Sequence, residues 1–574
     1  MYRPERPTSS FKIARATMLT ESRKIRIGLI VNSVIVPSYI KELIQWIGQN
    51  PQLEVTHLVD QQRPTGRHPL SKRLVHLMRL GQWGKLCSGV AYTILNRIER
   101  QLLARGPNYK WYFTQADIGS RVPHHIRVTP EISKSGLVFR YPAESIQAIN
   151  NADLDLLFHC GSGILKGHIL TVTRLGVISF HHGDNRVNRG SPPGFWEVYH
   201  QLDFTGFTIQ RLTEELDGGD VLLRARYATK FLQLSNRIEL YRKSIPHIRR
   251  ILESIAHTGE LPPVIDHQPY FNHLFMNPTV SQLLGYVRRS GSRVFGKAFR
   301  KYGLGQKNKW GVAFHQSPWE KLVMWRAHRI PNPPNRFLAD PFVISRGGNS
   351  YCFVEDYDYS VKRGCISVCQ LYKKRGVYIG PVIVEPFHMS FPYLIEIDGM
   401  LYMCPEVSQS GQIRLYRCSN FPMKWELAHV LMDNVSAADT MLFAHQGKWW
   451  MLTNLDTTHS GDHCSELFLF YADSPFSTQW TPHPKNPILI DAESARNGGL
   501  VTKDGALYRV AQRQGFDQYG EGFSINKIVH LDEYHYEEKR LSTVDATFWP
   551  RLKGTHHLHS NGKITVFDYL SRQR

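Results

Sequence analysis

The chain of 574 residues lacks any uninterrupted apolar run near the ~20 residues that a membrane-crossing helix needs. Its opening segment, MYRPERPTSSFKIARATMLTESRK, lacks the apolar centre of a secretory signal. These absences lead us to expect a cytoplasmic protein, peripheral at the inner membrane face at most, with residues 1–24 as a flexible leader. Cysteine is scarce and unpatterned. The eight residues at 87, 160, 352, 365, 369, 404, 418 and 464 form no Cys-x-x-Cys pair, and Cys365 with Cys369 has no second ligand pair nearby. Zinc is therefore not expected, nor any other metal cofactor, and the thiols read as buried in a reducing compartment. No Gly-x-Gly-x-x-Gly follows the first apolar run, so a dinucleotide is not indicated.

Acids are missing from two particular stretches. Between Gln61 and Phe113 ten Lys or Arg face one acid, Glu99; between Tyr286 and Ile330 eleven face one acid, Glu320. These stretches hold nineteen of the twenty-one net positive charges. Two local basic surfaces, and not a uniformly basic nucleic-acid binder, are what that distribution implies. Both stretches contain amphipathic helical patterns, LSKRLVHLMRLGQWGKLCSGVAYTILNRIERQLLARG and SQLLGYVRRSGSRVFGKAFRKYG. Each could lie on an anionic membrane or recruit a phosphate-rich molecule. No specific nucleic-acid partner is expected, and nothing in the sequence fixes the oligomeric state.

What is present divides in two. KIRIGLIVNS, the helical YIKELIQWIGQN, LEVTHLVD, LDLLFHCGSG and GVISFHHGD alternate as strands and helices do in a layered α/β domain with a mainly parallel sheet. This domain is placed at 25–230, with a basic helical insertion at about 61–113 and a helical basic connector over 231–308. From 309 to 574 the pattern becomes strand, glycine turn, strand. The turn glycines Gly348, Gly399, Gly447, Gly505 and Gly562 are 51, 48, 58 and 57 residues apart, the period of an all-β five-bladed propeller.

The first candidate chemistry is GVISFHHGDNRVNRGSPPGFWE followed by TGFTIQRLTEELDGGDVLL. A His ending a buried strand and an Asp in a later turn can converge on one cleft. This constellation resembles the folate-dependent formyltransferase family, which includes the methionyl-tRNA, glycinamide ribonucleotide and sugar N-formyltransferases. The resemblance implies His181 and Asp217 as the catalytic pair, with Ser179 standing where the family has an Asn. It implies N10-formyltetrahydrofolate as formyl donor, beside Ser162, Gly163, Ile164 and Leu165 of CGSGIL. It places Arg189 and Gly190 beside the acceptor amine, whereas His182, where the family has a small residue or Pro, is either a bystander or a contact to the acceptor substrate. An imidazole and a carboxylate suit this reaction because it creates an oxyanion and must also deprotonate an amine.

The second candidate lies eight residues before each hairpin glycine, at the entry of the innermost propeller strands: Asp340, Phe391, Asp439, Asn497 and Gly554. With Glu355 and Glu406, the two aspartates are the expected lining of an axial funnel. ADPF resembles the Asp-Pro strand entry of five-bladed glycoside hydrolases, and FLADPF, FVEDY and FPYLIE resemble the propeller-like domain of plant glucosamine inositolphosphorylceramide transferases. Hydrolysis needs an acid and a base across the bond. The fourth blade reads ESARNGG, with Arg496 or Asn497 where the acid should be, so the funnel is expected to bind glycan and not to hydrolyse it.

Together these patterns imply a formyltransferase acting on the amine of a nucleotide- or lipid-linked amino sugar in surface-polysaccharide biosynthesis. The alternatives are a methionyl-tRNA formyltransferase-like enzyme and a decayed glycan-binding scaffold.

Overall fold

Seven strands form the first sheet, in the order Asp220–Ala228, Phe204–Arg211, Val177–His181, Leu156–His159, Ile25–Val31, Leu53–Gln61, His124–Val128. The computed structural model describes residues 23–62, 83–104, 106–215, 218–265 and 269–573. Ile25–Val31 sits centrally because IRIGLIV is buried at almost every position and pairs parallel on both edges. Such continuous apolarity is what a strand covered on both faces requires. Gly28 leaves room that a Cβ would fill, since that atom would lie 2.7 Å from Leu154 and 2.8 Å from Leu157. Val177–His181 pairs parallel with Leu156–His159 and antiparallel with Phe204–Arg211, so the sheet is mixed at that edge. Helices Ser38–Ile47, Ala143–Asn151 and Gln233–Thr258 complete this α/β part. The basic insertion contributes the helix Trp83–Leu103, whereas 63–82 lie outside the described residues.

The chain separates into two units. One comprises residues up to Trp196 with Gly206–Arg224 and Leu234–Leu283; the other comprises Glu197–Thr205, Ala225–Gln233 and Leu284 onward. The second is largely β and propeller-like. Four successive antiparallel sheets begin with the strands Arg336–Arg346, Ser390–Ile397, Ala437–His445 and Asn497–Lys503. A fifth sheet joins Lys307–His315 and His328–Ile330 to Leu552–Gly554, Leu558–Ser560 and Thr565–Gln573. That last pairing, Lys307 with Gln573 through His315 with Thr565, ties the two ends of the unit together. The innermost strands contact one another in sequence, and Leu558–Ser560 touches both Asn497–Lys503 and Arg336–Arg346, which closes the ring. All five hairpin glycines have φ between +76° and +83°, a conformation glycine adopts without steric cost.

The innermost strands repeat one irregularity. Asp340, Phe391 and Asp439 have φ of 48°, 47° and 48°. Each falls at a register shift, between Ala339 and Phe342, Ser390 and Tyr393, and Ala438 and Met441, where the partner strand advances one residue fewer. This is a β-bulge repeated in three blades, a device that re-aims a side chain out of the ladder. The residues opposite the position before each bulge are Glu355, Glu406 and Asn454.

Candidate functional site: an acidic centre in the propeller-like unit

The bulges and their partners bring Asp340, Glu355, Glu406 and Asp439 into one electrostatic cluster. Asp340, Glu355 and Asp439 are buried, and Glu406 is partly so. Burial comes first in raising the Glu355 carboxyl well above the usual range, with the charges of Asp340, Glu406, Asp568 and Asp439 adding to it. Asp340 is pushed up to about 6, mostly by burial, with His556 opposing and Asp568 reinforcing. Asp439 is also raised by burial, against the pull of Arg496. Glu406 moves the other way: burial is outweighed by Arg496, His463 and a hydrogen bond from Asp439, so its charged form is favoured.

Arg496 is the organising cation. Its Nε lies 2.7 Å from Asp439 Oδ2 and its Nη2 lies 3.3 Å from Glu406 Oε2. Gln512 Nε2 donates to the same Asp439 oxygen at 3.0 Å, and Asn497 Nδ2 donates to the Asp439 carbonyl at 2.9 Å. The guanidinium also covers the ring of Tyr519 at 5.3 Å, and Tyr519 is 41% exposed, so the cluster reaches the surface there. On the fifth blade, His556 Nδ1 lies 2.6 Å from Asp568 Oδ2 and its Nε2 lies 3.4 Å from Asp340 Oδ1. Burial opposes the charged form of His556, but Asp568 and Asp340 raise it above the usual imidazole range. Trp310 stacks beside His556 at 4.2 Å. His388 Nε2 faces Glu355 at 3.6 Å. Asp340, His556 and Asp568 hold one ligand atom each within 4.8 Å of one another, a spacing that a divalent cation could use.

Chemically, this is a centre with five carboxyl groups, one arginine and one readily protonated histidine. Burial first, and then the neighbouring acids, favour the neutral form of Glu355 and Asp439 even with Arg496 and His556 in the cluster. A neutral carboxyl donates and accepts, as sugar hydroxyls require, and an entering cation would restore its charge. Sequence reasoning found the four acids and noted Arg496 only as a missing acid. It missed His556, Asp568 and Tyr519. The eight-residue offset points to Gly554 on the fifth blade, but Leu552–Gly554 is a separate strand pairing with Leu570. The innermost strand begins at Leu558, which leaves His556 to face Asp340.

The α/β residues assemble differently. The Ser179 hydroxyl lies 3.3 Å from the His159 carbonyl and 3.2 Å from the Phe180 carbonyl and can donate its one proton to either. His181 is buried, with Nε2 3.0 Å from the Asn188 carbonyl. Asp217 lies outside the described residues. His182 is half-buried, its ring stacked on Tyr241 at 4.0 Å, and burial followed by the neighbouring His181 lowers it to about 3. Ser162 is fixed by Asn32 and Gln61: Asn32 Nδ2 donates to its Oγ at 3.0 Å and Gln61 Nε2 to its carbonyl at 2.7 Å. A Cβ on Gly163 would fall 2.7 Å from the Phe139 ring, and Ile164 and Leu165 pair with Val138 and Phe139. Arg189 is buried, 2.9 Å from Glu215 and stacked at 4.7 Å over Tyr270. Gly190 has φ +122°, and a Cβ there would meet the Phe275 carbonyl at 2.0 Å.

A family described as "Glucosamine inositolphosphorylceramide transferase 1, N-terminal" matches residues 294–558. These include FLADPF and all four funnel acids. The chain is 35% identical over 246 residues to glucosamine inositolphosphorylceramide transferase 1 of Arabidopsis thaliana, covering 39% of this chain and 32% of that protein. It thus spans about a third of that relative's length. A family 117 glycoside hydrolase from Zobellia galactanivorans is similar at TM-score 0.31 and 13% identity, over 46% of this chain and 90% of that one. A glycinamide ribonucleotide transformylase from Symbiobacterium toebii is similar at TM-score 0.26 and 13% identity, over 42% and 92%. Likeness at that level carries no argument.

These matches overturn the expected formyltransferase identity, its N10-formyltetrahydrofolate donor and its one-carbon chemistry. The matched proteins are transferases named for glucosamine and a ceramide. As for the membrane, no helix among the described residues is long and apolar enough to cross one.

Proposed function

We propose that the propeller-like unit binds an amino sugar, and that the chain serves glycosyl transfer onto a lipid of the inositolphosphorylceramide kind. The observation that carries this reading is the surplus of raised carboxyl groups around one arginine. Five carboxyl groups outnumber Arg496 and His556, so a glucosamine ammonium adds positive charge where acids are in surplus, and the sugar hydroxyls meet carboxyls able both to donate and to accept. Tyr519, at the exposed edge of the cluster, offers an aromatic face of the kind sugars stack upon. The relatives' names add the chemical classes: a glucosamine and a phosphoinositol ceramide. A lipid acceptor places the protein's work at a membrane surface.

Titration calorimetry with glucosamine, N-acetylglucosamine and glucose tests the reading. Glucosamine should bind at least about tenfold tighter than the two neutral sugars, since a charge-assisted contact is worth about 1.5–3 kcal/mol. Asp340→Asn and Glu406→Gln should each remove most of that difference. Equal binding of all three sugars, or none by glucosamine, would overturn it.

A further inference from the structure

The helix Val280–Ala298 and the π-helical turn Phe299–Gly303 that continues it reverse the usual pattern of a surface helix. Residues 280–304 contain six cations and no acid. Half of those cations point back onto the protein. Arg289 donates to the Tyr199 carbonyl and lies 4.5 Å over the Tyr199 ring. Arg293 donates to Gln201 Oε1 at 2.6 Å and covers Phe516 at 4.5 Å. Lys297 pairs with Asp517.

The apolar residues are left outside. Leu284, Val287, Val294, Phe295, Phe299 and Tyr302 are 65%, 53%, 55%, 72%, 52% and 77% exposed. Their spacing follows the helical repeat, so they form one stripe along about five turns. A helix held to its protein by arginines, with phenylalanines facing solvent, has the wrong side in water unless something apolar covers it.

We propose that this stripe docks on a bilayer surface carrying anionic lipid. The remaining cations, Arg288, Arg300 and Lys301, form no ion pair among the described residues, and Lys301 lies 5.0 Å over the exposed Tyr302 ring. Aromatic rings set among unpaired cations, with no acid in the segment, match an interface of acyl chains below phosphate headgroups. A second copy of the chain fits poorly, because self-pairing would set these cations against their own equivalents with no carboxylate in the segment to offset them. The docking surface does not rest on sugar recognition.

Flotation of the full chain with vesicles tests it, using phosphatidylcholine alone and phosphatidylcholine with about a quarter phosphatidylserine at about 0.1 M salt. The protein should float with the serine-containing vesicles at least about tenfold better, and lose that binding at about 1 M salt. Val294→Glu, Phe295→Glu and Phe299→Glu together should cost at least about tenfold while leaving circular dichroism and melting unchanged, because all three side chains are exposed. Arg288→Glu with Lys301→Glu keeps the stripe and should abolish the preference for phosphatidylserine. Failure of the wild type to float, or equal flotation by wild type and triple variant, would overturn the proposal. So would a wild-type dimer that the triple variant loses without any vesicle binding, which assigns the face to a second copy. The vesicles carry no sugar, so failure here leaves amino-sugar binding untouched, and the reverse holds for the calorimetry.

Discussion

Arg496 Nε lies 2.7 Å from Asp439 Oδ2, and through the same guanidinium the third blade is joined to Glu406 of the second. One cation thereby braces the ionised Glu406 and its hydrogen-bonded neighbour Asp439, in a place with little water. Arg496→Ala removes that cation and leaves Asp439 and Glu406 buried without it. Breaking a buried pair from one side costs roughly 3–5 kcal/mol. Urea denaturation followed by tryptophan fluorescence should show a loss of that size. Arg496→Lys should recover only part of it, since an ammonium cannot span both carboxylates in the geometry of a guanidinium.

The pH dependence of the centre follows from Asp340 and His556. Asp340 rises from an ordinary 3.8 to about 6 on folding. Its contribution to stability is complete below the unfolded value and is lost as pH rises through about 6. His556 is likewise raised, so its contribution is also lost as pH rises, through its folded value above 6.5. The unfolding midpoint in urea should therefore fall between about pH 5 and about pH 8, and Asp340→Asn should flatten the lower part of that slope. Glucosamine affinity should run the opposite way and increase as Asp340 ionises, which calorimetry across the same range measures.

The sequence displayed the repeat better than the site. Turn glycines at a period of about fifty marked the hairpins, because a tight turn at positive φ leaves a residue-level trace. The strand of Lys307–His315 that pairs with Thr565–Gln573 leaves none, since its partner lies at the far end of the chain. The acids were legible because bulges recur at a fixed distance from those glycines. His556 and Asp568 were not, because the extra strand Leu552–Gly554 shifts the last blade's register. In the α/β part, SFHH and LDGG together resembled a catalytic pair. Ser179 could not be known to bond into its own sheet until the neighbouring carbonyls were placed. Arg496 shows the limit most clearly: in sequence it marks a missing acid, and only the fold reveals it as the counter-charge to two others.

His182 should prove a structural liability. It is half-buried against Tyr241, its buried Nε2 has no hydrogen-bond partner among the described residues, and its folded value is lowered to about 3. A lowered histidine contributes stability above its unfolded value of 6.5 that is lost as pH falls toward about 3. His182→Phe keeps the ring stack and removes the unpaired nitrogen. At neutral pH the change should lie within about 1 kcal/mol of the wild type or stabilise it. Below about pH 6 the variant should outlast the wild type in thermal melts by a margin that grows as pH falls.

Asp439 separates backbone from charge. Its φ of 48° places it in the left-handed region, where Asn and Asp sit readily and β-branched residues do not. Asp439→Asn retains the shape, the bulge and an acceptor for Gln512, and removes only the acidic group facing Arg496. Asp439→Val forces a β-branched residue into the bulge, at about 1–2 kcal/mol for the backbone, and strands Arg496 beside a hydrocarbon. The asparagine variant should fold with a melting temperature within a few degrees of wild type and lose glucosamine binding by about tenfold or more. The valine variant should lose roughly 3 kcal/mol or more of stability. If the asparagine variant binds glucosamine as tightly as the wild type, Asp439 belongs to the scaffold of the propeller-like unit, and the sugar's ammonium must be met by Asp340, Glu355 and Glu406.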